Sequence, residues 1–106
     1  MDSKKSVHKL AELKDVRPGK PAIAYLPDGR EIALFNIDGK VYALDNACPH
    51  MGGPLGEGDI EDSVVTCPWH GWQFNVMTGE CINMPGDDAA SIPLEIRGEE
   101  IFLVDY

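Results

Sequence analysis

Long apolar runs are missing from this chain of 106 residues, and its Met1-Asp2-Ser3-Lys4-Lys5 start lacks the apolar core of a secretion signal. No stretch approaches the roughly eighteen residues of a membrane-spanning helix, so a cytoplasmic protein with no membrane partner is expected. Basic charge is scarce: nine Lys and Arg stand against 18 Asp and Glu, for a net charge of −9. No cationic cluster is available to meet a phosphate backbone, which removes nucleic acid from the expected partners. Cysteine occurs only three times and makes no disulfide framework. Histidine is equally rare, with His8, His50 and His70 as its whole complement. No Ser/His/Asp set, phosphate-binding glycine loop or dinucleotide fingerprint is present, so an enzyme acting alone is not expected.

What the chain does contain is a pair of matching ligand loops. Cys48-Pro49-His50 is followed, after sixteen residues, by Cys67-Pro68-Trp69-His70, and each loop offers one thiolate and one imidazole. Soft thiolates suit iron in a sulfide cluster and imidazole suits iron as well, so the two loops are able to clamp two irons and two sulfides from opposite sides. Four Cys/His ligands also make a tetrahedral zinc site, although zinc modules usually pair Cys with Cys and His with His at short spacing. A third reading leaves two cysteines and two histidines as ordinary structural residues. Glycine and proline surround both loops, in Met51-Gly52-Gly53-Pro54 and from Pro68 to Gly71. Such residues let the backbone turn tightly enough to aim amide N–H groups at sulfur.

On these loops the chain resembles the Rieske ferredoxin family. The likeness extends to Gly39-Lys40-Val41-Tyr42-Ala43-Leu44 before the first loop, Gly52-Gly53-Pro54-Leu55 after it and Gly71-Trp72-Gln73-Phe74 after the second, and it runs from about Ile23 to Val104. The resemblance implies one Rieske-type 2Fe-2S cluster per chain, with Cys48 and Cys67 on one iron and His50 and His70 on the other, the imidazoles facing solvent. It also implies a third, proline-bearing loop at Pro85-Gly86 that covers the cluster from the side. High-potential relatives carry two further cysteines, where this chain has Gly53 and Trp69, and a serine and a tyrosine hydroxyl, where it has Trp72 and Phe74. Without those hydroxyl donors to sulfur the potential falls, toward a value on the order of −150 mV. The implied function is transfer of one electron from a flavin-containing NAD(P)H reductase to a terminal ring-hydroxylating oxygenase. The alternatives are the small subunit of an NAD(P)H nitrite reductase and, from a different class, a zinc-bound interaction module.

The remaining pattern is that of an all-β chain forming one domain over 1–106. Short apolar runs at Ala22 to Leu26, Ile32 to Ile37, Val41 to Leu44, Val64-Val65, Phe74 to Val76 and Ile101 to Val104 predict strands. Turns are predicted at Pro27-Asp28-Gly29, Asp38-Gly39, Thr78-Gly79 and Gly98-Glu99. Leu10 to Lys14 reads as one helical turn. An antiparallel sandwich or barrel follows, with the ligand loops forming a small subdomain at one end. His8 is expected to be an exposed residue of a polar N-terminal strand, and Cys81 a semi-buried strand thiol. Between Lys40 and Arg97 the chain has nine acidic residues and no basic one. That one-sided charge suits an electron carrier steered to basic partner surfaces.

Overall fold

The computed structural model describes residues 7–49, 52–69, 71–83 and 86–104. Nine strands among them are arranged in three antiparallel sheets of three strands each. One sheet joins β1 (Val7–Glu12), β9 (Glu100–Val104) and β8 (Leu94–Arg97) in the order β1-β9-β8. The central sheet joins β2 (Ala22–Tyr25), β3 (Glu31–Ile37) and β4 (Lys40–Asp45), and the third joins β5 (Asp59–Glu61), β6 (Val64–Thr66) and β7 (Gln73–Asn75). The described residues hold no α-helix, only short 3-10 turns at Leu13–Asp15 and Leu55–Glu57.

The unbroken apolar run of β3 explains the layering. Side chains alternate across a strand, so a run that is apolar at every position needs cover on both faces. Ile32 and Leu34 enter a core shared with Ala24, Ala43, Ile101 and Leu103, which ties the central sheet to the β1-β9-β8 sheet. Ala33 and Phe35 enter a second core with Leu44, Leu55, Val65 and Phe74, which ties the same sheet to the third one. Each large side chain buried this way contributes about 1.5–3 kcal/mol relative to exposure. The third sheet is too small to hold a shape alone, and its position is set by that second core. Cys48 and Cys67 belong to the same core.

The Asp38-Gly39 turn is as predicted. Both residues have positive φ, 55° and 88°, and the turn sets the β3–β4 register that pairs Ile37 with Lys40. That combination fits a two-residue hairpin whose twist matches its strands. Gly98, with φ 61°, turns β8 into β9. The structure departs from the sequence expectations at several elements. Leu10 to Glu12 continue β1 instead of opening a helical turn, because Ala11 and Glu12 pair with β9 past an irregularity at Leu10, and the 3-10 turn comes afterwards at Leu13–Asp15. β5 and β8 were not among the expected strands: Asp59-Ile60-Glu61 has one apolar residue, and the alternating Leu94 to Arg97 is half exposed. Thr78-Gly79 turns the chain after β7, but the return pairs at a single bridge, Phe74 with Cys81. His8 is half-buried on β1 opposite Leu103, not exposed.

Two glycines separate conformational from steric need. Gly39 sits at φ 88° with open space where a Cβ would stand, whereas Gly58 has an ordinary φ of −80° and a Cβ there would lie 2.2 Å from the Thr66 carbonyl oxygen. Gly39→Ala is therefore expected to cost about 1 kcal/mol through backbone strain alone. Gly58→Ala has to push the start of β5 away from β6 and is expected to cost more, about 2–3 kcal/mol. Urea denaturation of the two variants checks the order, and equal costs would show that the β5–β6 pair yields freely.

Candidate metal centre

The first cysteine loop leaves the end of β4 and is closed by the chain itself. The Cys48 N–H donates to the Gly53 carbonyl at 2.8 Å, the Gly52 N–H donates back to the Cys48 carbonyl at 2.7 Å, and Ala47 bridges Pro54. Gly52 holds a φ of 81°, which permits the tight reversal. The second loop links β6 to β7 and closes in the same manner, with the Cys67 N–H donating to the Trp72 carbonyl at 2.7 Å. Gly71, with φ 74°, turns it. Both loops thus spend their own backbone donors and acceptors on closure, which makes them stiff without regular secondary structure.

Each loop runs from a buried thiol to an exposed apex. Cys48 and Cys67 are 2% and 1% exposed, while Pro49, Gly52, Pro68, Trp69 and Gly71 are exposed. The two cysteines share one buried core. Burial pushes the Cys67 thiol above its ordinary value, and the Cys48 side chain adds to that rise, while the Trp69 N–H, donating to Cys67 Sγ at 3.4 Å, opposes it. Two thiols held together out of water are poor thiolates without a cation between them. A metal centre supplies that cation, so the donor set fits an iron–sulfur group. His50 and His70, the other two predicted ligands, lie outside the described residues, as does Pro85. The third loop is described at its ends: Asn83 Oδ1 accepts from the Gln73 N–H at 2.5 Å, which fixes its start beside β7, and Gly86 is exposed with φ 103°.

Cys81 is fully buried, at 1% exposure, and not semi-buried in a strand as expected. Its N–H donates to Asp88 Oδ1 at 3.0 Å and it packs in the core with Phe74, Val76 and Ala89. Phe74 is fully buried and Trp72 packs partly buried against the same core, so neither residue presents a hydroxyl to sulfur. Gly53 and Trp69 are neighbours: a Cβ on Gly53 would lie 3.0 Å from the Trp69 Cβ.

Sequence reasoning missed Asn46, the one buried polar residue among those described. Its Nδ2 donates to Glu31 Oε1 at 2.9 Å and its Oδ1 accepts from the Gly56 N–H at 2.7 Å. Its backbone N–H donates to the Glu31 carbonyl at 3.0 Å and its carbonyl accepts from the Leu55 N–H at 2.8 Å. Asn46 thereby fastens both ends of the first loop to β3, two residues before Cys48. The available signal was a lone amide just past the end of the apolar β4 run and two residues before Cys48.

These features define a small all-β protein whose two closed loops present a pair of buried thiols. Residues 6–97 match the Rieske 2Fe-2S domain, and the chain belongs to that family. Its cofactor is a Rieske-type 2Fe-2S cluster, which sets aside the zinc alternative. Over 77 residues it is 31% identical to the ferredoxin component of the naphthalene 1,2-dioxygenase system of Pseudomonas aeruginosa, covering 72% of this chain and 74% of that one. Over 95 residues, 89% of this chain, it is 33% identical to human apoptosis-inducing factor 3, but spans only 16% of that protein's length. The Sphingomonas yanoikuyae B1 ferredoxin superposes with a TM-score of 0.85 at 25% identity, over 95% of this chain and 99% of that one. A structure from the complex of reduced oxygenase and oxidized ferredoxin in carbazole 1,9a-dioxygenase gives 0.84 at 25% identity, over 93% of each chain. An NADH-dependent nitrite reductase small subunit of Mycobacterium tuberculosis gives 0.84 over 98% of each chain but at 22% identity, which shows a shared fold alone.

Replacing Asn46 by Ala leaves the Gly56 N–H and the Glu31 carboxylate without their buried partner. A loss of about 1–3 kcal/mol in stability is expected, the range for an unsatisfied buried group. Thermal melts of the iron-free protein measure it. An unchanged melting temperature would show that water replaces the side chain at no cost.

Proposed function

We propose that this chain is an electron carrier in which Cys48 and Cys67 hold one iron of the cluster and His50 and His70 the other, within a single domain spanning residues 1–106. When bound, the cluster accepts and returns one electron, and the two neutral imidazoles leave it less negative than an all-cysteine cluster. The observation that carries the reading is the pair of buried thiols sharing one core at the base of two loops with exposed residues next to each cysteine. The protein's own part is to bury the sulfur side, close the loops rigidly and keep the opposite side open to a partner. A rigid surround also limits the rearrangement that accompanies a change of charge.

The donor in this proposal is a flavin-dependent NAD(P)H reductase and the acceptor a terminal ring-hydroxylating oxygenase, in the cytoplasm. Support comes from the ferredoxin components that align over about three quarters of their length. It comes also from the matching fold in the oxygenase–ferredoxin complex. Among the described residues no helix is long and apolar enough to cross a membrane. The catalytic step belongs to the acceptor, since three histidines, two of them assigned to the cluster, leave only His8, one too few for a second iron site of two histidines and a carboxylate.

Electrostatics supports a basic partner surface. Glu57, Asp59, Glu61, Asp62 and Glu80 are exposed and form no salt bridge among the described residues. The ion pairs that do occur involve Glu12, Asp28, Glu95 and Glu100, outside the ligand loops and the third sheet. These carboxylates, before and on β5, on its turn into β6 and after β7, project a negative field that salt screens over about 8–10 Å.

Purified protein is expected to be red-brown with equal iron and acid-labile sulfide, and Cys67→Ser to lose most of that absorbance. A colourless protein with stoichiometric zinc would end this reading. Partner exchange is tested by stopped-flow reduction with a candidate reductase. The rate should fall as salt rises, and reversing charge at Glu61 and Asp62 to Lys should lower it about tenfold at low salt while leaving the visible spectrum unchanged. Equal rates for both proteins at low salt would reduce the acidic surface to a solubility device.

A further inference from the structure

Gly53 is buried although the residue before it is exposed, and its φ is not in the left-handed region, so glycine is required there for space. A Cβ at this position would stand 2.8 Å from Trp69 Cγ, 2.9 Å from Cys67 Sγ and 3.0 Å from Trp69 Cβ. The backbone of the first loop therefore rests directly on the tryptophan and the thiol of the second. Gly53 is also the residue whose carbonyl accepts the Cys48 N–H, and the Trp69 N–H is the donor to Cys67 Sγ. These contacts make a continuous path from Cys48 through Gly53 and Trp69 to Cys67, with no covalent link across it.

Trp69 is 49% exposed, so only part of its surface is used in this contact. A tryptophan kept solely as a sticky surface group would not need a glycine under its Cβ and Cγ. Nor is it simple core filling, since half of it faces water. From this packing we propose that Trp69 is the clamp between the two cysteine loops: pressed onto Gly53, it fixes the distance between them and shields the Cys67 sulfur from solvent. It is a positioning residue, acting through Gly53 and Cys67. The proposal rests on the assignment of Cys48 and Cys67 to the cluster.

Two consequences distinguish a clamp from ordinary packing. Loosening the loops speeds loss of the metal, as removal of outer-shell support generally does. Admitting water to the Cys67 sulfur stabilises the more negative, reduced state, so the midpoint potential rises. Phe at position 69 keeps a ring over Gly53 and should preserve both properties, whereas Ala should preserve neither.

The experiment compares wild type, Trp69→Phe, Trp69→Ala and Gly53→Ala as loaded proteins. Decay of visible absorbance in excess chelator gives the rate of iron loss, voltammetry gives the midpoint, and melts of the iron-free forms control for folding. Trp69→Ala and Gly53→Ala should lose iron roughly 10–100-fold faster than wild type, with an upward shift in midpoint for Trp69→Ala, and Trp69→Phe should stay near wild type. Iron loss and midpoint unchanged in Trp69→Ala would overturn the proposal. So would an iron-free Trp69→Ala protein that melts far below wild type while its midpoint stays in place, because Trp69 would then be packing alone. Failure of the ligand assignment looks different: Cys67→Ser would keep the chromophore, or wild type would never acquire one.

Discussion

Two thiols have to be buried in one core while residues next to them in the chain reach solvent, and most of the architecture answers that constraint. A buried thiol pair without a cation is unfavourable, and an exposed one is open to oxidation and exchange. The chain resolves this inside each loop, with a cysteine at the base in the core and an exposed apex a residue or two later. The loops hold that gradient because their backbone groups close on themselves: Cys48 to Gly53 in one, Cys67 to Trp72 in the other. Flexible loops of the same length would let each sulfur rotate toward water. Asn46 anchors the first loop to β3, and Asn83 joins the second and third around β7.

The central sheet transmits this rigidity. β3 is buried on both faces, so the core behind the thiols and the core under the β1-β9-β8 sheet share one strand and cannot shift independently. Disturbing Phe35 or Leu44 would move the floor beneath Cys48 and Cys67 even though neither residue is next to a ligand in sequence. Close-packed interiors pass small displacements on rather than absorbing them. The acidic charge lies on the other side of this arrangement, on the exposed β5–β6 hairpin and its neighbours, where it costs little in packing. Scaffold and acidic surface can therefore vary separately.

Much of this was legible in the residues. Runs of consecutive apolar residues marked β2, β3, β4, β6, β7 and β9, and Asp38-Gly39 and Gly98 marked two hairpins, because local chemistry alone decides those features. The two cysteine loops were legible as a repeated motif, whereas the burial of Cys48 and Cys67 comes from the core they enter. What stayed hidden depends on long-range pairing. β1 extends through Glu12 only because β9 lies beside it, and β5 is a strand only because β6 supplies the partner. Cys81 is fully buried because the return after β7 folds Asp88 and Ala89 over it. Asn46 and the Gly53–Trp69 contact were invisible for the same reason, since both join segments that are apart in sequence.

The aromatic residues around the second loop carry a further consequence. Phe74 fills the core that holds both cysteines and Trp72 lies partly buried against it, and neither ring carries a hydroxyl. Bulk that stabilises the loop by apolar burial also withholds hydrogen bonds from the added negative charge. The two effects have one cause, and a substitution that introduces a hydroxyl here has to give up packing to gain potential. A carrier that must deliver electrons downhill to an acceptor benefits from a low potential. In this chain the packing beside the loops and the lack of a hydroxyl rest on the same two side chains, Trp72 and Phe74.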